Sequence, residues 1–232
     1  MTDHPRILAL IPAYDEAPRV GAVVTGAKAH LPVLVVDDGS TDDTAAIAES
    51  AGAAVLRQRP NQGKGAALRA GFRWALDRGF DAVLTLDADG QHDPAEIPAF
   101  LAARERASAD LVVGQRDFSR MPPIRQIANR LGGLALSWAV GRRIPDNQSG
   151  YRLLSRRLME VMLPSRESGF EFEVEMITTA IPAGWAIDWV PIRTIYAGEP
   201  SHIDPWRHFT SFVRMVRTAR RTVRQPSPRG TR

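Results

Sequence analysis

Apolar runs of strand length alternate with longer amphipathic stretches through the first half of the chain. The runs read Ile7 to Ile11, Val33 to Val36, Ala54 to Arg57, Ala82 to Leu86 and Leu111 to Gly114. The stretches between them predict helices near Arg19 to Ala29, Asp42 to Ser50, Ala66 to Asp77 and Ala95 to Arg104. That alternation is the pattern of a mostly parallel sheet covered by helices. Ser40 or Thr41 can cap the second helix, and Pro94 suits the first turn of the fourth, where a missing N–H costs nothing. After Gly114 the rhythm changes. Pro122 to Val140 predicts a long helix, Asp146 to Gly150 a polar loop, Tyr151 to Leu154 a short strand, Phe172 to Ala180 a helix and Ala186 to Thr194 a strand. The expectation is an α/β fold with one domain over residues 1–203, a basic amphipathic helix over 204–224 and a disordered end over 225–232, rich in Pro, Ser, Gly and Arg.

Composition narrows this picture. The 232 residues are 44% apolar, enough for a substantial core. Cysteine is absent, which excludes disulfides, thiolate metal sites and thiol catalysis and leaves oxygen or imidazole to hold any metal. The net charge of +4 is unevenly placed: residues 203–232 hold eight arginines against one aspartate, net +7, so the remainder sums to −3. The body therefore offers no argument for nucleic acid binding, and none is expected. No apolar window reaches the roughly 18 residues of a spanning helix. The longest, Leu131 to Val140, is bounded by Arg130 and Arg142, and the short run Ile7 to Pro12 lacks the basic flank of a signal peptide. In the 204–224 helix, Trp206, Phe209, Phe212, Val213, Val216, Ala219 and Val223 fall on one side, with Arg207, Arg214, Arg217, Arg221 and Arg224 on the other. Such a helix can lie on an anionic surface, or pack on the body or on a second subunit with its arginine face in water; the first reading gives the expected location, cytoplasmic and peripheral on the cytoplasmic membrane face.

Ligands of such sheets bind beyond the carboxyl ends of the strands. Three runs end there in polar residues: Pro12-Ala13-Tyr14-Asp15-Glu16, Asp37-Asp38-Gly39-Ser40 and Asp87-Ala88-Asp89-Gly90-Gln91-His92. The period of two in extended chain puts Asp87 and Asp89 on one side. Paired carboxylates repel, and a hard divalent cation relieves that while taking oxygens from Gln91 and a substrate diphosphate, so Mg²⁺ or Mn²⁺ fits better than zinc. The plainer reading is a solvated pair at a strand end. Asp37 and Asp38 can bond a base or ribose, or place negative charge at a helix N-terminus. Gly63-Lys64-Gly65 precedes a helix, so its N–H groups and Lys64 can meet a phosphate, or form an ordinary turn. It is no Walker A loop, since position 58 is Gln and neither Ser nor Thr follows Lys64.

Ile11-Pro12-Ala13-Tyr14-Asp15-Glu16, Val35-Val36-Asp37-Asp38-Gly39-Ser40-Thr41-Asp42, Asn61-Gln62-Gly63-Lys64-Gly65 and Asp87-Ala88-Asp89, in this order and spacing, resemble the family-2 glycosyltransferases. The resemblance covers residues 6 to 115 and implies a single Rossmann-like glycosyltransferase A domain with a nucleotide diphosphate sugar donor, a GDP or UDP sugar. It implies Pro12, Tyr14, Glu16, Asp38 and Lys64 around the nucleotide, Asp87 at the ribose or metal, and Asp89 on the metal.

A narrower set is similar to the polyprenyl-phosphate sugar transferases of the dolichol-phosphate mannose synthase type. It comprises Gln91-His92-Asp93-Pro94, Gly114-Gln115-Arg116, Asp146-Asn147-Gln148-Ser149-Gly150-Tyr151-Arg152, and Val190-Pro191-Ile192 followed by Ser201-His202. It implies Gln91 in the metal shell, phosphate contacts from Arg116, Arg125 and Arg152, and a dolichyl or undecaprenyl phosphate acceptor. Arg116 and Arg152 thereby join Asp87 and Asp89 as expected catalytic residues, and the sugar inverts in a single displacement. The chain departs from the subfamily at Tyr196-Ala197-Gly198-Glu199-Pro200-Ser201-His202, where many members carry Arg ahead of Gly-x-Ser-Lys: one residue is extra and His replaces Lys.

A lipid monophosphate is already anionic near neutral pH, with a second pKa of about 6, and needs no protein base. Transfer to a hydroxyl would need one, with Asp146 or Glu175 as candidates. Phe170-Glu171-Phe172-Glu173-Val174-Glu175-Met176 holds three acids, two of them accounted for by an exposed face, and Trp138, Trp185 and Trp189 read as core. A processive polysaccharide synthase is disfavoured by the missing Gln-x-x-Arg-Trp element and membrane helices, a nucleotidyltransferase by the lack of a Gly-rich first loop. The non-enzymatic alternative, a membrane-bound scaffold of the same fold, is opposed by Asp87, Asp89 and Gln91 together.

Overall fold

The computed structural model describes residues 5–118, 123–169, 171–193, 195, 216, 217 and 220, leaving out the side chains of 123–125 and 127–130. The chain runs β1 (Ile7–Ala13), α1 (Ala17–Lys28), β2 (Val33–Asp37), α2 (Thr44–Ser50), β3 (Ala54–Arg57), α3 (Lys64–Asp77) and β4 (Ala82–Thr85). A 3-10 turn at Pro94–Glu96 leads into α4 (Ile97–Ala107), followed by β5 (Leu111–Arg116), α5 (Pro123–Val140), β6 (Arg152–Ser155), α6 (Arg156–Met162), α7 (Glu171–Ala180) and β7 (Ile187–Ile192). The strands form one sheet in the order β3-β2-β1-β4-β6-β5-β7, mostly parallel as the apolar runs predict. Only β6 runs antiparallel, to β4 on one side and β5 on the other.

Alternation along each strand feeds two cores, one on either face. Leu8 and Leu10 of β1 join one with Phe72 of α3 and Phe172 of α7, while Ala9 and Ile11 join the other with Val20 and Val24 of α1 and Phe100 of α4. Phe72 is fully buried, its ring centroid 6.1 Å from that of Phe172. Its truncation to Ala removes enough contact to cost about 3–5 kcal/mol.

Two local expectations change. Neither Ser40 nor Thr41 caps α2: Ser40 Oγ accepts from Asp15 N at 3.0 Å and Thr41 N donates to Asp15 Oδ1 at 2.7 Å. Both therefore tie the loop after β1 to the loop after β2, which Glu16 N and Ala17 N reinforce by donating to Thr44 Oγ1 and Asp42 Oδ2. Pro94 does open the approach to α4, but in a 3-10 turn capped by Asp93, which accepts from Ala95 N. The two-turn α6 escapes a periodicity reading because it is too short, although Ser155 at its N-cap accepts from Leu158 N.

Of the tryptophans, Trp185 and Trp189 pack against the core as expected. Trp138 does not: it is 64% exposed on α5, in line with the exposed Leu131 and Leu134. The Arg220 guanidinium carbon stands 3.7 Å over its ring, and Val216 packs on the core. The rest of the expected 204–224 helix, the 225–232 end, Thr194, the segment from Tyr196 to His202 and the Arg125 side chain lie outside the described residues. Among the described residues no helix is long and apolar enough to cross a membrane.

Candidate active site

Strand register assembles the site. Ala13 lies opposite Asp37 across β1 and β2, and Leu10 opposite Thr85 across β1 and β4. The residues that follow those strands therefore emerge at one edge of the sheet. There they line a cleft of about 370 Å³ whose walls include Pro12, Tyr14, Glu16, Asp38, Lys64, Asp87 and Asp89. Asn61 lines it too, although its sequence context singled it out only as part of a longer segment.

At the centre Lys64 Nζ stands 2.6 Å from Asp87 Oδ1 and 3.0 Å from Glu173 Oε1. Burial disfavours the ammonium, yet the Asp87 and Glu173 carboxylates outweigh it and raise the Lys64 pKa. Burial likewise opposes ionisation of Asp87, but Lys64 foremost among its neighbours holds it down at about 2. Asp89 has no such partner among the described residues: burial first, then the Asp87 charge, pushes it up to about 6. The pair is thus split into one firmly ionised carboxylate and one that loses its proton only near neutrality. His92 is neutral, lowered to about 4 by burial. Its Nδ1 accepts from Asp87 N at 3.1 Å, which puts its proton on Nε2.

The structure uses several expected contacts internally. Asp38 accepts from Gln62 N at 2.9 Å and Gly63 N at 2.7 Å, so it fastens the loop before α3 while facing the cleft. Gly65 N donates to Ser168 O at 2.9 Å. The N–H groups of Gly63 and Gly65 are therefore not free for a phosphate, and the side chain of Lys64 is what that segment presents. Gln91 supplies its N–H to Asp89 Oδ1 at 2.9 Å and its carbonyl to Ile195 N, and it is not among the residues lining the cleft.

Arg116 and Arg152 make internal contacts as well. Arg116 grips Asp146 through Nε at 2.7 Å and Nη2 at 3.0 Å. Asp146 is 1% exposed and also accepts from the N–H groups of Gln148 and Ser149. A carboxylate so occupied is unsuited to act as a base. Arg152 is wholly buried, and donates to the carbonyls of Ser149 at 2.7 Å, Asn147 at 3.0 Å and Glu173. It holds the Asp146–Gly150 loop from beneath rather than facing a phosphate. The other candidate base, Glu175, accepts from Ser165 Oγ and does not line the cleft.

Glu173 and Gly150 stand in segments that the sequence singles out, but neither is assigned there to the charged centre. An exposed face accounts on sequence grounds for two of the three acids near α7, and Glu173 is the buried one, 4% exposed. Gly150 is brought to Asp87 by β6, which pairs Arg152 with Thr85, and its carbonyl accepts from Thr85 Oγ1 at 2.7 Å.

The family model described as "Glycosyl transferase family 2" matches residues 9–162. The chain is 34% identical to an undecaprenyl-phosphate mannosyltransferase of Micrococcus luteus, over 82% of this chain and 84% of that protein. It is 33% identical to a polyprenol monophosphomannose synthase of Mycolicibacterium smegmatis, over 81% and 76%. Among solved structures, glucosyl-3-phosphoglycerate synthase of Mycobacterium tuberculosis with Mg²⁺ and UDP superposes with a TM-score of 0.71, at 20% identity, over 93% of this chain and 78% of that one. A complex of that synthase with Mn²⁺, UDP and glucosyl-3-phosphoglycerate gives 0.69 at the same identity and coverage.

Proposed function

The chain belongs to glycosyl transferase family 2 and is a glycosyltransferase, and from that premise we propose that it moves a sugar from a nucleotide diphosphate sugar to a polyprenyl phosphate with inversion. One observation carries the reading: Asp87, Asp89 and Lys64 converge in the cleft, whereas Asp146 and Glu175, the carboxylates a hydroxyl acceptor would call on, are engaged elsewhere. The names of the two bacterial relatives support the acceptor.

The residues fit a hard divalent cation. Asp87 and Asp89 offer only oxygens, and a nearby positive charge would offset the burial and the Asp87 repulsion that together raise the Asp89 pKa to about 6. Among the described residues no three acidic or imidazole side chains cluster as a self-contained metal site. The remaining ligands are then substrate oxygens and water, as suits Mg²⁺ or Mn²⁺. When bound, the ion would neutralise the charge that develops on the departing diphosphate.

The chain's own residues supply position and charge. Pro12, Tyr14, Glu16 and Asp38 frame the nucleotide end of the cleft, and Lys64 offers an ammonium to diphosphate oxygens. Asp87 and Asp89 would hold the ion, and Arg116, partly exposed beside them, turns cationic surface to the acceptor phosphate. Arg152 positions the loop that ends at Gly150. A phosphate monoester brings its own anionic oxygen, so aligning it with the anomeric carbon is the main task left. The amphipathic tail brings this cytoplasmic, peripheral enzyme to the membrane that holds its acceptor.

Incubation with GDP-mannose, UDP-glucose and UDP-N-acetylglucosamine, each with a short polyprenyl phosphate and Mn²⁺, tests the reading. The expected product is a lipid phosphate sugar of inverted anomeric configuration. Transfer to water or sugar hydroxyls alone would overturn the acceptor assignment.

A further inference from the structure

Glu173 stands behind the cleft rather than in it. Its side chain reaches forward from α7 to put Oε1 3.0 Å from Lys64 Nζ, while Oε2 is buried without a hydrogen-bond partner among the described residues. A buried carboxylate with an unpaired oxygen is a cost that an apolar residue in the same place would avoid. Its position is fixed from below, because the carbonyl of Glu173 accepts from Arg152, the guanidinium that also holds the loop ending at Gly150. Lys64 thus lies between two carboxylates of different standing: Asp87 lines the cleft and Glu173 does not.

We propose that Glu173 is a positioning residue for Lys64, holding the ammonium at the cleft wall when Asp87 turns its charge to a divalent cation. This rests on the donor reading given above. With Glu173 in place the ammonium keeps one anionic anchor and presents its remaining protons to diphosphate oxygens. Without it, Asp87 is the nearest anion left, and Lys64 competes with the cation for that carboxylate.

Mn²⁺ binding to the full chain, followed by electron paramagnetic resonance with saturating UDP or GDP, tests this directly. Glu173→Gln is expected to raise the Mn²⁺ dissociation constant about tenfold, the scale usual for residues that support a metal ligand from outside. In a Lys64→Met background the same substitution is expected to change nothing further, since the group through which it acts is gone. Glu173→Asp keeps the charge but withdraws it by one methylene; it should shift the constant in the same direction, and it serves if the glutamine variant does not fold. An unchanged constant in folded Glu173 variants, or a loss that persists without Lys64, overturns the proposal. If the unsubstituted chain binds Mn²⁺ with neither nucleotide, the donor reading itself fails and the role of Glu173 falls with it.

Discussion

A side chain at Gly150 would have its Cβ 2.9 Å from both carboxylate oxygens of Asp87 and 2.8 Å from Lys64 Nζ. The loop from Asp146 to Gly150 is therefore built against the charged centre of the cleft with no room for a methyl group. Arg116 bonds it at Asp146 and Arg152 at the carbonyl of Ser149.

Gly150→Ala should consequently injure activity more than stability. The Asp87 carboxylate can swing aside, so the fold survives, but a displacement near 1 Å in a positioned group costs about 10²-fold in rate. Measured kcat/KM should fall on that scale while the melting temperature moves by only a few degrees. Wild-type kinetics in this variant would mean that the loop gives way instead.

The two arginines should separate in kind. Arg152→Lys leaves three buried carbonyls to one ammonium, and the groups left unpaired should cost about 2–4 kcal/mol of stability, visible in urea unfolding. Arg116→Lys retains the charge but loses the planar fork on Asp146. Its expected signature is a raised KM for polyprenyl phosphate, with a smaller loss of stability. If both variants lose only acceptor binding, Arg152 is closer to the phosphate than its buried bonds allow.

What the sequence revealed follows from how each feature is encoded. Continuous apolar runs at β1, β2 and β4 are local, and so are the polar residues directly after them; the cleft walls from Pro12 to Asp89 could be read for that reason. Glu173 could not. Its partner Lys64 stands more than a hundred positions earlier and meets it only when α3 and α7 come together in the fold. Arg152 carries the composition of a phosphate ligand and the surroundings of a core residue, a distinction made by the antiparallel insertion of β6 between β4 and β5. The exposed Trp138 misled in the opposite sense, since its spacing with Leu131 and Leu134 is that of an apolar helix face whatever that face meets.

Asp89→Asn should abolish metal-dependent transfer, by about 10² to 10³ in rate, while the protein stays folded. Its raised pKa also fixes a sign. In the folded protein Asp89 holds its proton up to about pH 6, above the ordinary carboxylate value, so ionising it opposes folding. The contribution of this group to stability is greatest below the unfolded pKa and declines as pH rises through about 6. The Asn variant, without metal, should therefore match wild type near pH 4 and exceed it at pH 7.5 in thermal denaturation. Mn²⁺ affinity of the wild type should fall about tenfold per unit below pH 6, because the ligand must shed a proton first. A pH-independent affinity between 5 and 7 would remove Asp89 from the metal site.

A chain without a spanning helix among its described residues needs another way to reach a lipid. Residues 203–232 carry net charge +7, and each arginine near an anionic bilayer contributes on the order of 1 kcal/mol. A handful suffices for reversible attachment, and because the interaction is screened within about 10 Å at 0.1 M salt, raised salt should release it. The stacking of Arg220 on the exposed Trp138 places part of the segment beside α5, so the same residues can instead fasten the tail to the body. The two arrangements separate on vesicles. Full-length protein should float with vesicles containing phosphatidylglycerol, not with neutral ones, and detach at 0.5 M NaCl, while a chain ending at Ile203 stays behind and still hydrolyses donor. Trp138→Ser leaves the basic charge intact and should preserve flotation if charge provides the attachment. If full-length protein ignores both vesicle types, the tail belongs to the body of the protein and the membrane assignment is wrong.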